Sequence, residues 1–326
     1  MPKSSEQKKK AMMILRYLWE NTDEEHPLST AAIIDYLENI GIKAERKSIY
    51  SDIEMLCSLG YDIIYRKGQD GGYYMASRDF AMAELKLLVD AVQSSKFITE
   101  KKSNELISKI EKLTSHYEGR KLQRQVYVAN RVKTDNESIL YNIDAIHEAV
   151  SGNYRISFLY SEWNMKKKLV YRNNGERYIA DPLSLVWDDE NYYLVAVDVS
   201  SGNIKHYRVD KMSDIVVECE RRNISGFKYN PVQYTKEHFS MFHGTKEIVT
   251  VRFSKNLIGV VIDRFGRDVR IIPKGEEYFD ARLDIQVSNQ FFGWITGLAP
   301  NATIIAPESV VTQYKEVIQD IIKRYE

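Results

Sequence analysis

Apolar residues recur along the first sixty positions at helical spacing, in three separate runs. Ile14, Leu15, Leu18 and Trp19 share one face and predict an amphipathic helix over 7–19. A polar stretch, 21–27, follows. Ser29 or Thr30 then stands where a hydroxyl caps the orphan N–H groups of a second helix, 31–39, with Ile33, Ile34 and Leu37 inward. Gly41 supplies the left-handed residue that closes it. A third helix is predicted over 45–59, where Ile49, Ile53 and Leu56 recur at i, i+4 and i+7. After Gly60 the period shortens to two. Residues 61–65 and 73–75 read as strands joined by the Gly-rich turn 66–72.

Residues 79–117 read as helical throughout, with Leu85, Leu88, Val89 and Val92 on one face and Leu106, Ile110 and Leu113 on another. From 119 to 133 there are five basic residues and no acidic ones (Arg120, Lys121, Arg124, Arg131, Lys133), the composition of an inter-domain linker. A helix over 137–150 leads into a β-rich section. Ile156, Phe158 and Tyr160 alternate with Arg155, Ser157 and Leu159. Strands over 183–187 and 192–198 flank an acidic turn, Asp188-Asp189-Glu190-Asn191, and strands over 205–209 and 214–219 continue the series. One helix followed by several short antiparallel strands predicts a small barrel. The last eighty residues read strand, helix, strand, strand, helix, strand, helix, and the βαββαβ part of that order is the ferredoxin-like plan. The expected class is α+β and multidomain, divided at 1–78, 79–135, 136–222 and 223–326.

Three short helices and a Gly-rich hairpin make a winged helix-turn-helix, and its third helix carries candidate DNA-binding chemistry. With Ile49, Ile53 and Leu56 buried, Arg46, Lys47, Tyr50, Ser51 and Glu54 face outward, and Ser48 joins Arg46, Lys47, Tyr50 and Ser51 as a candidate DNA contact. The start of such a helix meets base edges in the major groove. Arg66, Lys67 and Gln69 in the hairpin turn are placed for backbone phosphate or the minor groove. Asp52 is assigned a helix-positioning role. A plain solvated helix face is the competing reading.

Charge narrows these readings. The chain carries 46 Lys+Arg and 46 Asp+Glu. Residues 1–80 hold 11 basic against 13 acidic side chains, so any DNA contact is confined to local clusters. No apolar run approaches the ~20 residues needed to cross a bilayer, and no signal-peptide pattern follows Met1. Cys57 and Cys219 form no CxxC pair. A reducing cytoplasm is the expected setting. The six histidines show no HExxH or finger spacing, no P-loop or GxGxxG is present, and no nucleophile stands beside a base. The expectation is no enzyme, no metal and no cofactor. His238 and His243 sit in an aromatic loop, where surface or packing roles are expected.

The segment Arg46-Lys47-Ser48-Ile49-Tyr50-Ser51-Asp52-Ile53, then Gly60-Tyr61-Asp62-Ile63 and Gly71-Gly72-Tyr73, resembles the helix-turn-helix of the WYL-domain transcriptional regulators. The β-rich section resembles the WYL domain, a Sm-like five-stranded barrel, through Asp181-Pro182-Leu183, Tyr192-Tyr193-Leu194 and Tyr207-Arg208-Val209-Asp210-Lys211-Met212. Phe292-Gly293-Trp294 and Ala306-Pro307-Glu308 resemble the extension that follows it. The chain departs from the pattern at Tyr192, where Trp is usual, and at Lys211, where Arg is usual; Lys lacks the bidentate fork.

The resemblance implies a double-stranded DNA operator as partner, a homodimer, and a basic groove for an anionic effector such as a nucleotide or single-stranded nucleic acid. Arg208, Lys211 and His206, with Tyr160, Ser184 and Tyr193, are the candidate lining, because cations and aromatic rings together suit a phosphorylated base. In the competing reading, Tyr160 and Tyr193 are core and Arg208 pairs with Asp210 or Asp181. A further alternative makes the barrel a surface for protein partners, with no small ligand.

Overall fold

Helices α1 (Lys3–Asn21), α2 (Thr30–Asn39) and α3 (Arg46–Ser58) bury the predicted stripes against one another. Ile14, Leu18, Ile33, Leu37, Ile49, Ile53 and Leu56 form a single cluster with Ile63 and Met75. Ser29 caps α2, its hydroxyl accepting from the Ala32 N–H at 3.2 Å. The computed structural model describes residues 3–122, 133–188, 190–227, 229–231, 234, 241 and 244–326, with side chains from Lys8 onward.

Strands β1 (Ile63–Arg66) and β2 (Gly72–Met75) pair antiparallel, Ile63 opposite Met75 and Arg66 opposite Gly72. The hairpin docks back on the α1–α2 loop. Leu28 N–H donates to Tyr73 O at 2.9 Å, and Tyr73 N–H returns to Leu28 O at 2.8 Å. Glycine is required at 72 because a Cβ there would lie 2.4 Å from the Leu28 carbonyl carbon and oxygen.

The predicted continuous helix over 79–117 is three helices instead: α4 (Met82–Ser94), α5 (Glu100–Glu111) and α6 (His116–Leu122). Short hydroxyl side chains cause both breaks, because they offer the backbone an alternative to continuing the helix. Thr99 Oγ1 accepts from Lys102 N–H at 3.2 Å. Ser115 Oγ accepts from Glu118 N–H at 3.1 Å and donates to buried Asp23 at 2.6 Å. Of the basic stretch, Arg120 and Lys121 lie in α6. Lys133 folds onto the end of α4 and donates to Ser95 O at 3.0 Å and Ser103 Oγ at 2.7 Å. Arg124 and Arg131 lie outside the described residues.

The chain divides into two compact units, Met1–Glu137 and Ser138–Glu326. The second opens with α7 (Ile139–Gly152), closed by Asn153 in the left-handed conformation. Six strands follow: β3 (Tyr154–Trp163), β4 (Leu169–Tyr171), β5 (Tyr178–Asp188), β6 (Asn191–Asp198), β7 (Ile204–Arg208) and β8 (Met212–Arg221). Their order is β4-β3-β5-β6-β7, and β8 also pairs with β3. Register shifts in the β3–β8 and β5–β6 pairs curl this antiparallel sheet. Helix α7 packs on it through Ile139, Ile146 and Ala149, and Asn142 Nδ2 donates to Met212 O at 2.8 Å.

The remainder runs β9 (Thr245–Ser254), α8 (Ile258–Phe265), β10 (Arg270–Lys274), β11 (Tyr278–Val287), α9 (Asn289–Gly297), β12 (Ala302–Ala306) and α10 (Glu308–Ile322). The antiparallel sheet order is β10-β11-β9-β12. Alternate residues of β9 and β11, including Val249, Val251, Phe253, Ala281 and Leu283, bury against Val261, Phe291, Ile295 and Val310 of the helices. Among the described residues no helix is long and apolar enough to cross a membrane, and no group of three His, Cys, Asp or Glu is placed to hold a metal.

Candidate functional site

The outward side of α3 is built from its first turn. Glu45 precedes the helix, and Ser48 closes on it: Ser48 Oγ donates to Glu45 O at 2.8 Å and accepts from Glu45 N–H at 3.3 Å. Ser48 is thereby committed to starting the helix, whereas Arg46, Lys47, Tyr50 and Ser51 are exposed. Tyr50 leans toward the hairpin, its ring centroid 6.5 Å from that of Tyr73, which Tyr65 meets edge-on at 4.9 Å. Asp52 turns inward and pairs with Lys10 of α1 at 2.8 Å. That contact ties the orientation of α3 to the first helix.

In the hairpin turn, Lys67 and Gln69 are exposed. Arg66 is tethered: its guanidinium donates to Glu24 O at 2.7 Å and Asp70 O at 3.2 Å. It braces the hairpin against the α1–α2 loop instead of projecting freely. Tyr65, half exposed on the same strand, was not singled out by the sequence. No alternation in β1 signals it, because Ile64 and Tyr65 are both exposed.

In the second unit, pairing across β5, β6 and β7 aligns Ser184 with Val195 and His206, and Val186 with Tyr193 and Arg208. Paired residues share a face, so Ser184, Tyr193, His206 and Arg208 stand together. Tyr160 lies on the opposite side with Phe158, Tyr178 and Tyr207 in a buried aromatic cluster. Only its hydroxyl reaches across, accepting from Arg208 N–H at 3.2 Å. Burial pushes the Tyr160 phenol above its ordinary pKa. Arg208 binds Asp210 with both arms, Nε to Oδ1 at 3.0 Å and Nη2 to Oδ2 at 2.9 Å. Lys211 follows in the turn after β7, half-buried. Asp181 is held by Arg155 at 2.8 and 3.2 Å and accepts from Asn223 N–H, which is a structural arrangement.

The chain itself covers part of the β5–β7 face. Ile224, Tyr229, Tyr234 and Met241 pack on Leu183, Val186 and Val195. Tyr229 hydrogen-bonds Ser184 through the two hydroxyls. His206 Nδ1 donates to Met241 O at 2.5 Å, which leaves Nε2 to accept from the Tyr234 hydroxyl at 2.8 Å. No spacing along the chain pairs residues so far apart. Asp189 of the acidic turn, His238 and His243 lie outside the described residues.

Beneath that face, Asp198 is buried and accepts from Ser200, Ser201, Lys205 and the Tyr207 hydroxyl. Burial disfavours its charge, but the hydrogen bonds outweigh burial and hold the carboxyl well below the usual range. Burial, with the Asp198 carboxylate beside it, pushes the Tyr207 phenol well above its ordinary value.

Comparison with known proteins gives residues 141–217 as a WYL domain and residues 245–322 as a WCX domain. No curated protein matches the sequence. Proteasome accessory factor B/C (PafBC) of Arthrobacter aurescens is similar at 13% identity and TM-score 0.28, over 98% of this chain and 49% of that one. The chain thus spans about half of that protein. A CRISPR Cas-related protein is similar at 16% identity and TM-score 0.36, over 98% of this chain and 85% of the other. At those scores neither likeness bears on fold or function. The chain thus carries a WYL domain followed by a WCX domain.

Proposed function

We propose that the chain is a DNA-binding transcription regulator with an effector site on its WYL domain. Residues 1–78 act as a winged helix-turn-helix, 79–135 as a helical connector, 136–222 as a Sm-like WYL barrel and 223–326 as a ferredoxin-like extension. One observation carries the DNA reading. Arg46, Lys47, Tyr50 and Ser51 project from the exposed side of a helix whose other side is fixed by Ile49, Ile53 and Leu56, beside a docked hairpin that exposes Lys67 and Gln69. Arg46 and Lys47 at the helix start donate to guanine edges or phosphate, and the hairpin turn follows the backbone. Two copies, paired as a homodimer in the cytoplasm, read the halves of a palindrome.

The effector reading rests on Arg208 and His206 sharing a face with Tyr193 and Ser184, with Lys211 in the following turn. An anion such as a nucleotide takes the place of Asp210 on the guanidinium, because phosphate accepts the same two-armed hydrogen bond. Binding there shifts operator affinity by a coupling on the order of 1–3 kcal/mol. Selection of bound duplexes from a random pool, followed by titration in increasing salt, tests the DNA reading. Thermal shift of the full chain with nucleoside phosphates tests the effector reading. No shift with any anionic ligand favours a barrel that engages protein partners.

A further inference from the structure

The loop between α1 and α2, residues 22–29, is held from two sides. On one side stands the β1–β2 hairpin. Thr22 Oγ1 accepts from the Met75 N–H at 3.0 Å, the Arg66 guanidinium donates to Glu24 O at 2.7 Å, and Leu28 exchanges two backbone hydrogen bonds with Tyr73. On the other side stands α6 of the connector. Ser115 Oγ donates to Asp23 Oδ2 at 2.6 Å, and the Tyr117 ring lies flat on that of His26, centroids 3.7 Å apart and planes 5° from parallel. Lys121 reaches Glu25 at 3.4 Å. Asp23 knits these contacts together: its Oδ1 accepts from the Glu25 and His26 N–H groups at 3.1 and 3.0 Å and from His26 Nδ1 at 2.6 Å. Among the described residues Ser115 alone hydrogen-bonds Oδ2, and both side chains are shut away from water. Burial disfavours the Asp23 charge, but the hydrogen bonds from Ser115 and His26 outweigh it and hold the carboxyl below its usual range.

The apolar cluster that seats α3 takes no residue from the connector, so the packing of the first three helices does not call for α6. What α6 steadies is the loop, and what the loop steadies is the hairpin. Two strands of four residues are marginal by themselves, and the points where they meet the loop decide how they stand. Resting on the DNA reading given above, we infer that Ser115 and Tyr117 are positioning residues for DNA binding. Through Asp23 and His26 they fix the loop, and the loop sets where Lys67 and Gln69 of the hairpin turn meet the duplex. Neither touches DNA itself. Loosening α6 therefore frees the hairpin turn and leaves Arg46 and Lys47 in place on α3.

The test uses the full chain and its selected duplex, read by fluorescence anisotropy, with hydrogen exchange of the free protein alongside. Tyr117→Ala is the leading variant, because Tyr117 is 39% exposed and the fold tolerates its loss. Tyr117→Phe keeps the stacked ring and should behave as the unmodified chain. Lys67→Ala should make the salt slope shallower by about 1 in the unmodified chain. In the Tyr117→Ala background it should add little, whereas Lys47→Ala should cost the same in both backgrounds. Exchange over residues 63–75 should quicken about tenfold in Tyr117→Ala and stay unchanged over 46–58. Ser115→Ala should act in the same direction and more strongly, since it strands a buried carboxylate oxygen. A full Lys67→Ala effect in the Tyr117→Ala background overturns the inference, as does an equal loss of the Lys47→Ala effect. So does a Lys67→Ala variant that binds like the unmodified chain. Unchanged exchange over 63–75, with duplex binding intact, overturns the inference and leaves the DNA reading standing. No duplex bound by the unmodified chain overturns both. Loss of the Lys67 contribution alone, with faster exchange in the hairpin, supports it.

Discussion

The Lys10–Asp52 pair joins α1 to the proposed recognition helix at 2.8 Å, with the side chains 10% and 17% exposed. Replacing Asp52 with Ala leaves the Lys10 ammonium where water reaches it poorly. Breaking a fully buried pair costs about 3–5 kcal/mol, and an exposed pair is worth about 0.2–1. For a pair still open to some solvent, about 2 kcal/mol is the consistent figure between those limits. Lys10→Met costs less than Lys10→Ala because Met keeps the apolar stem. The double variant Lys10→Met, Asp52→Leu recovers much of the loss, since no charge is left unpaired. Hydrogen exchange of the intact protein, read on peptides covering residues 46–58, reports local opening without requiring the whole chain to unfold in one step. Asp52→Ala should speed exchange there about 30-fold, with non-additivity in the double variant. Operator affinity should fall with it, because the helix loses its fixed rotation. Unchanged protection in Asp52→Ala, or strict additivity, refutes the positioning role.

Gly72→Ala drives a Cβ into the Leu28 carbonyl. It should break both Leu28–Tyr73 hydrogen bonds at about 1 kcal/mol each and lower both the melting temperature and duplex affinity. Asp210→Asn releases Arg208 from its carboxylate partner and should tighten nucleoside triphosphate binding about tenfold by calorimetry, whereas Arg208→Ala abolishes it. The lowered pKa of Asp198 means that its contribution to stability is fully present above the ordinary value of 3.8. That contribution is lost as pH falls through the lowered folded value. Asp198→Asn should therefore destabilise the protein at neutral pH and flatten the acid limb of its stability profile, measured by unfolding across a pH series.

What the sequence disclosed was local, and what it concealed depended on register or distant packing. The stripe Ile49, Ile53 and Leu56 specifies which side of α3 faces out, because helical spacing alone fixes it. The breaks at 95–99 and 112–115 were hidden, since periodic apolar residues continue on both sides and only hydroxyl capping interrupts the backbone. Strand β4 escaped because three exposed residues between Lys168 and Arg172 show no alternation with a buried face. Ser184, Tyr193, His206 and Arg208 were named from residue chemistry, and only strand register brings them to one face. The same chemistry misplaced Tyr160, whose alternation with Phe158 puts it in the aromatic core on the other side. Tyr229 and Tyr234 reach that face from a segment with no periodic signal, so no spacing could have paired them with Ser184 and His206.

The central claim is that the start of α3 lies in a DNA groove. The most direct measurement is titration of the full chain against its selected duplex over a series of salt concentrations, beside the Arg46→Ala, Lys47→Ala double variant. Tight salt-dependent binding is expected of the unmodified protein, and in the variant a weaker affinity with a slope shallower by up to about 2. Equal affinity and slope in both proteins, or no duplex bound even in dilute salt, contradicts that claim.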